Sequence, residues 1–529
     1  MRSLLQTQSS WLLSHPRLLA AVASLLAAAL VFVQGEAVNN DAYTYVRVAE
    51  LFLHDGVGAA FAHYPWASYS ALLAHFVLLD IDLFSAGLLL NAIFYALSAV
   101  AFVGLCSALS SEWPERERNR ALLFAVAVIC VYPQLNEYRS MLLRDVGFWA
   151  FTLLALQQLI TLSRLHVGLA YWRCVVAFVL FLGAALLFRA EAIVYLLCSP
   201  VLLLALRDSE GKPRYADAGR LAGFIAATGL AVAVIAVFAG LDIGGAFARF
   251  IANYQPFIDA LFNGDTAQRS ALNASVLADH ALLFSQSDSL ILRSVGAVYS
   301  LGHAVLAAIS LPFFFALTAA YLLRRRTEQA HINTSRDART LILGFALINL
   351  AILCGFALVT RFVSGRYVML LGLLVVLWLP LVLARWQSER ASGLSRSFFA
   401  LFFIYCAVDS FISFGRDKAY LSSAEAWVSQ YGSEYPSTML ISNSRRLAYA
   451  SDLVEDYDLV PSIIAESDLS SAPAGTLLAI ELNPQMRARA NGLLSTATAE
   501  TIAVFPPSAR AENQAALNES VRVAILIKR

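Results

Sequence analysis

The sequence predicts a polytopic α-helical membrane protein with about eleven transmembrane helices and a small C-terminal α/β domain. Of its 529 residues, 59% are hydrophobic and only 14% are charged, whereas about 25% of the residues of a soluble protein are charged. The hydrophobic residues are gathered into blocks of about 18 or more, the length that crosses a bilayer. This composition is lost after about residue 413, which indicates a separate region outside the membrane.

Eleven apolar stretches are predicted to be membrane spans. They cover residues 17–34, 85–109, 120–133, 146–163, 173–188, 192–206, 220–240, 295–323, 340–359, 367–384 and 397–413. The first stretch is longer than the apolar core of a signal peptide, which favours an uncleaved span over a cleaved leader. Arginine and lysine are about twice as frequent in the loops on one side, so the positive-inside rule predicts a cytoplasmic N-terminus and an external C-terminal region.

Composition argues against several classes of function. The formal net charge is +1 and no basic stripe with interleaved aromatic residues is present, so no nucleic-acid partner is expected. The six cysteines lie in apolar stretches without Cys-x-x-Cys spacing, which indicates small buried side chains and not a disulfide framework or a zinc site. Lysine is rare while alanine, leucine and arginine are abundant, as in GC-rich bacterial genomes. We therefore expect a protein of the bacterial inner (plasma) membrane.

The predicted domain boundary follows the last span. Residues 1–413 are expected to form the transmembrane domain, and residues 414–529 an extracytoplasmic α/β domain. In the second region, STMLIS (437–442), GTLLAIEL (475–482) and SVRVAILIK (520–528) are typical of strands. KAYLSSAEAWVSQY and SRRLAYASDL are typical of helices.

Two outside loops are long, residues 35–84 and 241–294, and the first is patterned. Asn39 or Asn40 can cap a helix that Gly56 ends. Apolar side chains between them fall on one side, which predicts an amphipathic helix of about four turns suited to the membrane interface. A second amphipathic segment is predicted in YPWASYSALLAHFVLLD.

The same loop contains three histidines whose spacing does not place them on one helix face. They are His54, His63 and His75. We interpret them as interfacial polar groups and not as zinc ligands.

Charged residues near the outer ends of the spans are the candidates for chemistry. Asp41 starts the first-loop helix, where the helix dipole favours a negative charge, so position alone allows either a cap or a catalytic carboxylate. Three short outside turns, RSMLLRD, FRAE and RFVSGRY, place further side chains at the same predicted depth. These are Arg144, Asp145, Arg189, Glu191, Arg361, Arg366 and Tyr367. Each alone is typical of an interfacial anchor. Together, arginines suit a lipid phosphate, and a neighbouring carboxylate suits general-base work or a divalent cation.

Four stretches resemble the GT-C superfamily of polyprenyl-phosphate-sugar-dependent glycosyltransferases. Within it, the closest likeness is to the bacterial branch related to protein O-mannosyltransferases and to the aminoarabinose transferase of lipid A. The stretches are NNDAYTYVRVAELFLHDG, YPWASYSALLAHFVLLDIDLFSAGLLLNAIFYALSAV, YPQLNEYRSMLLRDVGFWAFTLLAL with LLFRAEAIVYLL, and SGRYVMLLGLLVVL. The first is similar to the first-loop acidic motif of the family, and the last to its late Arg-Tyr segment. The resemblance is good over residues 20–200 and patchy after that.

The resemblance implies transfer of a sugar from a polyprenyl-phosphate donor to an extracytoplasmic protein, lipid or glycan acceptor, with membrane lipids as further partners. Asp41 matches the catalytic aspartate of the first loop, and Asp145 lies where a second-loop acidic residue is often found. Arg189 and Arg366 would hold the lipid phosphate. The other residues assigned to substrate binding are Tyr45, Arg144, Glu191, Arg361 and Tyr367.

The acidic pair usual in the family is reduced here to Asn40 and Asp41, with Glu36 upstream. The resemblance therefore leaves a divalent cation open, with Asp41 and Asp145 as its ligands, and it leaves inversion or retention at the sugar open too.

Two alternative functions remain. An O-antigen polymerase or ligase is also polytopic, but its large arginine-bearing loop falls late in the chain, whereas the structured acidic loop comes first here. A transporter with a periplasmic domain tends to show two similar halves and helices broken at the membrane midplane, and neither is evident in the sequence.

Overall fold

The computed structural model describes residues 14–34, 39–207, 211–238, 245, 248, 252, 255, 289–326, 334–360, 363–389, 393–411, 418–431, 439–507 and 517–529. Most of the second long loop predicted at 241–294 lies outside the described residues, as do Glu36 and Arg361.

The described chain is mostly helical. The helices are α1 Pro16–Gln34, α2 Asn40–His54, α3 Val57–His63, α4 Ser68–Phe76, α5 Leu83–Leu109, α6 Glu115–Cys130, α7 Pro133–Glu137, α8 Asp145–Leu162, α9 Leu169–Phe188, α10 Ala192–Leu204, α11 Tyr215–Phe238, α12 Ser289–Ile309, α13 Leu311–Arg326, α14 Arg336–Thr360, α15 Gly365–Val376, α16 Trp378–Glu389, α17 Gly393–Ser410, α18 Ala419–Tyr431, α19 Arg445–Ser451, α20 Glu466–Ser471 and α21 Pro484–Ser495. Short 3₁₀ helices follow α4 and α7, at Val77–Leu79 and Tyr138–Ser140.

Among the described residues, seven helices are long and apolar enough to cross a membrane, or up to nine if each of two bent helix pairs forms one span. The multi-pass helical architecture predicted from hydropathy is thereby confirmed, and each predicted stretch coincides with an apolar helix or helix pair. The count of eleven stays a prediction, because α10 and the apolar part of α17 are shorter than a full span.

The stretch predicted as one span at 295–323 is two helices, α12 and α13, which meet at 87°. Pro312 lacks an N–H, so it cannot donate the helical hydrogen bond to the carbonyl of Ala308 four residues earlier. The hydroxyl of Tyr132 donates to that carbonyl instead. Ser310, at the break, has a left-handed φ of 72°. No break was evident in the sequence, because an average over apolar residues does not detect one.

The described residues fall into two compact units. The first unit comprises those within 1–27, 92–136 and 144–411, and the second those within 28–91, 137–143 and 412–529. In the first unit, α8 and α9 pack along each other, and Phe94 joins them through ring contacts with Phe151 and Phe188 at 5.6 and 5.2 Å. A short turn joins α8 to α9, so the start of α8 and the end of α9 lie at the same end of this helix pair.

The second unit contains a four-stranded sheet in the order β1-β2-β4-β3. Its strands are β1 Leu440–Ser442, β2 Leu477–Glu481, β3 Ala499–Phe505 and β4 Val523–Lys528. Strands β1 and β2 are parallel, and β4 is antiparallel to both β2 and β3. Alternate side chains of β2 enter two hydrophobic clusters, with Leu478 and Ile480 in one and Leu477 and Ala479 in the other, as the period of a strand requires. The sequence predicted β1, β2 and β4 but missed β3.

Three helices of the second unit come from the first long loop. Helix α2 runs over four turns as predicted, and α4 covers part of the predicted second amphipathic segment. Helix α3, which was not predicted, lies between them. Val48 of α2, Ala60 of α3 and Ala67 form one buried cluster, so these helices make a packed layer and not a linker.

Candidate functional site

Asp41 lies in the first turn of α2, and Asn39 fixes where that helix begins. Asn39 is the N-cap in extended backbone, as the sequence predicts, but its side chain makes no capping hydrogen bond. Its Oδ1 accepts a hydrogen bond from the backbone N–H of Leu142 at 2.9 Å, and its Nδ2 donates to the carbonyl of Leu142 at 3.2 Å. The start of the Asp41 helix is therefore tied to the segment at residues 137–143.

Arg445 of α19 holds the same turn from another side. Its Nη1 donates to the backbone carbonyl of Asn40 at 3.2 Å and to the hydroxyl of Thr44 at 2.8 Å. The helix dipole favours a negative charge at the N-terminal end of a helix, so it interacts unfavourably with the Arg445 guanidinium. Its two hydrogen bonds and the neighbouring Asp41 carboxylate offset that cost.

A cavity of about 270 Å³ opens beside this turn. It is lined by Asp41, Thr44, Tyr45, His63, Tyr64, Arg445, Asp458 and Leu459. Tyr45 is almost fully buried, and its ring lies 6.2 Å from the ring of Tyr64 and 5.0 Å from that of Tyr69, measured between centroids. The walls thus combine carboxylates, a guanidinium and aromatic rings. Its volume is near the lower end of the range for small-molecule sites.

A histidine–aspartate pair forms part of the cavity wall. The Nε2 of His63 lies 3.0 Å from Oδ2 of Asp458, and their side chains are 16% and 1% exposed. The Oδ1 of Asp458 is buried and has no hydrogen-bond partner in the described part of the chain. The interpretation of His63 as an interfacial polar group stays a prediction, and the structure adds a carboxylate partner that it did not include. No local signal in the sequence could have paired two residues 395 positions apart.

Asp458 belongs to a short segment that bonds to the first loop at three consecutive positions. Asp456 accepts from Arg47 at 3.1 Å, the hydroxyl of Tyr457 donates to Glu50 at 2.9 Å, and Asp458 pairs with His63. Burial and the charge of Glu50 raise the pKa of the Tyr457 hydroxyl, which keeps it a neutral donor. The sequence EDYD of the C-terminal region is thus part of the cavity structure.

The first unit contains a second cluster of the predicted site residues, at the end of the helix pair where α8 starts and α9 finishes. Arg189 follows α9, and its Nη1 donates to Asp145, the first residue of α8. Its Nε lies 3.2 Å from both carboxylate oxygens of Glu191. Its guanidinium carbon also lies 4.4 Å from the ring centroid of Tyr367, within the range of a cation–π contact.

The ionised groups of this second cluster are largely buried. The side chains of Arg189 and Asp145 are 10% and 3% exposed. Burial opposes the charge on Glu191, but the Arg189 guanidinium outweighs burial and holds the pKa of the Glu191 carboxyl below its ordinary value. Arg144 and Arg366 are near enough to act electrostatically on Asp145. Three arginines and two carboxylates thus lie close together in this cluster.

The structure brings together most of the residues that the sequence singled out, in two groups. Asp41 and Tyr45 line the cavity of the second unit. Asp145, Arg189, Glu191 and Tyr367 are in direct contact in the first unit, with Arg144 and Arg366 in electrostatic range. Arg361 lies outside the described residues. Sequence reasoning missed His63, Arg445 and Asp458.

The two carboxylates predicted as ligands of a divalent cation, Asp41 and Asp145, belong to different units. In the part of the chain that the structure describes, no three His, Cys, Asp or Glu side chains are close enough to hold a metal ion. Asp145 and Glu191 both bind Arg189, and Asp458 binds His63. We assign no step to a metal ion.

No family model matches the chain, and no curated protein matches it. Among solved structures, it is similar to the oligosaccharyltransferase of Archaeoglobus fulgidus in the apo form, with a TM-score of 0.43 and 13% identity, over 84% of this chain and 64% of that chain. It is also similar to the archaeal oligosaccharyltransferase AglB from Archaeoglobus fulgidus in complex with an inhibitory peptide and a dolichol-phosphate. There the TM-score is 0.44 and the identity 13%, over 95% of this chain and 75% of that chain. The chain thus spans 64% of the length of the first of these proteins.

Proposed function

We propose that this protein is a membrane glycosyltransferase that moves a sugar from a polyprenyl-phosphate donor to an extracytoplasmic acceptor. The observation that carries the proposal is the position of Asp41 in the wall of a polar cavity, on a helix turn held by Asn39 and Arg445. A carboxylate that only capped a helix would not need this support from distant parts of the chain.

The cavity is suited to the acceptor. The carboxylate of Asp41 can accept a hydrogen bond from an acceptor hydroxyl and orient its oxygen for attack. The Tyr45 and Tyr64 rings offer apolar surface, and Arg445 offers donors for further oxygen atoms. In the proposed reaction this oxygen bonds to the anomeric carbon of the sugar, and the bond from that carbon to the phosphate oxygen breaks.

The arginine cluster of the first unit is suited to the lipid phosphate. Because Arg189 is held by Asp145 and Glu191, we assign to it the neutralisation of these two carboxylates. Phosphate binding falls to Arg144 and Arg366, with Tyr367 beside them. Fixed positive charge in a partly dehydrated site stabilises a leaving phosphate without reorganisation.

We further propose that the protein lies in a bacterial inner membrane, with a cytoplasmic N-terminus and an extracytoplasmic C-terminal domain formed by residues 414–529.

The test is sugar transfer by purified Asp41→Asn protein, with lipid-linked sugars and acceptors extracted from the host. We expect the variant to keep its fold and lose nearly all transfer. Asp55→Asn is the matched control, because Asp55 is an exposed aspartate of the same loop, at the end of α2, and it should transfer at the wild-type rate. Full activity in Asp41→Asn would remove Asp41 from the reaction.

One observation favours the transporter alternative, namely the 87° break between α12 and α13. The carbonyl of Ala308 at this break accepts a hydrogen bond from Tyr132, and a Cβ atom added at Gly372 would lie 3.0 Å from the same carbonyl oxygen. The carbonyl of Ala308 thus has a hydrogen-bond donor and a close neighbour within the protein and is not exposed to coordinate a transported ion. We therefore favour the transferase over the transporter.

A further inference from the structure

We propose that His63, oriented by Asp458, takes the proton from a hydroxyl-bearing acceptor in the Asp41 cavity. This inference rests on the proposed function and extends it. It gives Asp41 the role of orienting the acceptor, and it gives the C-terminal region a positioning residue in the reaction.

The hydrogen bond between the two side chains determines which nitrogen can react. An ionised carboxylate only accepts hydrogen bonds, so Nε2 of His63 carries the proton that it shares with Asp458. In the neutral ring, Nδ1 then carries the lone pair. Among the described residues, Nδ1 of His63 has no hydrogen-bond partner. A histidine held by a carboxylate through one nitrogen, with the other nitrogen available, is the arrangement of a general base with its orienting residue.

Burial and anchoring distinguish this pair from a surface ion pair. Exposed pairs hold their geometry weakly and contribute little, whereas the Asp458 side chain is 1% exposed. The two preceding residues, Asp456 and Tyr457, are bonded to Arg47 and Glu50 of α2. Three consecutive attachments restrict the position of Asp458, and therefore the position of the His63 ring.

The surroundings of His63 indicate what kind of acceptor is bound. Besides Asp458, the charged and titratable groups around it in the cavity wall are Asp41, Arg445, Tyr45 and Tyr64, and the packed helix α2 adds Arg47 and Glu50. Asp458 Oδ1 is buried without a hydrogen-bond partner in the described chain, which is costly unless a donor arrives. Hydroxyl groups are such donors, so a hydroxyl-bearing acceptor matches both His63 and Asp458.

In the proposed step, each bond that forms is matched by a bond that breaks. The acceptor O–H proton moves to Nδ1 of His63 while the oxygen forms a bond to the anomeric carbon. The bond between that carbon and the phosphate oxygen breaks, and its electron pair leaves with the lipid phosphate. The imidazolium that forms faces the Asp458 carboxylate, which stabilises its charge.

The test compares His63→Ala, His63→Gln, Asp458→Asn and His75→Ala in the purified full chain, with host lipid-linked sugars and acceptor extract. Loss of a general base lowers rates by about 10²–10⁴-fold, so we expect kcat of both His63 variants to fall in this range with little change in KM for the donor. Asp458→Asn, which removes the carboxylate that fixes the tautomer of His63, should lower kcat by up to about 10⁴-fold. His75 is exposed and bonds to the carbonyl of Ala71 in its own helix, and His75→Ala should match wild type.

Added imidazole separates a chemical role from a structural one. It should restore part of the activity of His63→Ala and none of that of Asp41→Asn. Wild-type kcat in the glutamine variant, which retains a donor for Asp458, would overturn the proposal, and so would a lack of imidazole rescue in folded His63→Ala protein. If wild type itself transfers no sugar, the proposed function fails, and this result is distinct from any failure specific to His63.

Discussion

Replacing Arg189 by methionine should destabilise the first unit by about 3–5 kcal/mol at neutral pH, the usual result of removing one partner of a buried ion pair. The methionine fills similar space but leaves two carboxylates without their cation. Asp145 is 3% exposed and Glu191 is 23% exposed. Asp145 therefore accounts for most of the loss, and water partly screens Glu191.

The destabilisation should depend on pH with a definite sign. In wild type the pKa of Glu191 is held below its ordinary value by Arg189. The ionised Glu191 therefore stabilises the folded protein above about pH 4.3, the pKa of a glutamate in the unfolded chain. This stabilisation is lost as the pH falls through the lower pKa that Glu191 has in the folded protein. Without Arg189, burial is the largest of the remaining effects, and it raises the pKa of Glu191. Acidification then protonates the Glu191 carboxyl and removes the cost of burying its charge. The difference in free energy of unfolding between Arg189→Met and wild type should therefore shrink between about pH 7.5 and pH 4.5.

The assay is thermal unfolding in detergent, followed by tryptophan fluorescence, since Trp149 is buried in the same helix as Asp145. The unfolding temperature should fall in the order wild type, Arg189→Lys, Arg189→Met, because lysine keeps the charge but not the fork of donors. The triple variant Asp145→Asn, Arg189→Met, Glu191→Gln should recover much of the loss. The reasoning is refuted if Arg189→Met unfolds at the wild-type temperature at pH 7.5, or if its deficit is the same at both pH values.

Two further predictions concern the second unit. Gly56 has φ 88° and ψ 179°, a conformation nearly restricted to glycine, so Gly56→Ala should lower the free energy of unfolding by about 1–3 kcal/mol. Gly58 occupies an exposed position of α3, and Gly58→Ala should stabilise the protein by up to about 1 kcal/mol. Equal effects at both sites in thermal unfolding would contradict the assigned backbone. Arg445→Ala removes both hydrogen bonds to the Asp41 turn, and kcat should fall by up to about 10²-fold through misplacement of Asp41. Arg529→Ala, which loses only a surface pair with Glu500, is its control, and a similar change in both would show that Arg445 does not position Asp41.

The sequence predicts features that follow from local periodicity or from the position of a residue at the end of a span. Hydropathy located the apolar helices because bilayer thickness sets their length. The sequence placed Asp145, Arg189 and Glu191 at the ends of consecutive spans, and the structure shows that the three residues are in contact. The start of α2 at Asn39 was also a local signal, although the tie between its side chain and Leu142 was not.

What the sequence did not predict depends on contacts between distant segments. The pairing of His63 with Asp458 and the bonds of Arg445 to the Asp41 turn join residues about four hundred positions apart, and no periodicity encodes such pairs. Arg189 was assigned to a phosphate because its type and position suit one, whereas its nitrogens bind two carboxylates of its own chain. Strand β3 was missed because AETIAVF is partly exposed at its centre and lacks a clear alternating pattern.

Sugar transfer from a polyprenyl-phosphate donor can be measured by following both products of the reaction in proteoliposomes that contain the wild-type protein. The donor would be the host's polyprenyl-phosphate sugars with a radiolabelled sugar, and the acceptor an extract of host envelope. We expect the label to leave the lipid fraction and appear on the acceptor, with polyprenyl phosphate released in equal amount. Asp41→Asn protein should neither transfer the label nor release polyprenyl phosphate. If the label stays on the lipid in the presence of folded wild-type protein, the chain is not a transferase of this class.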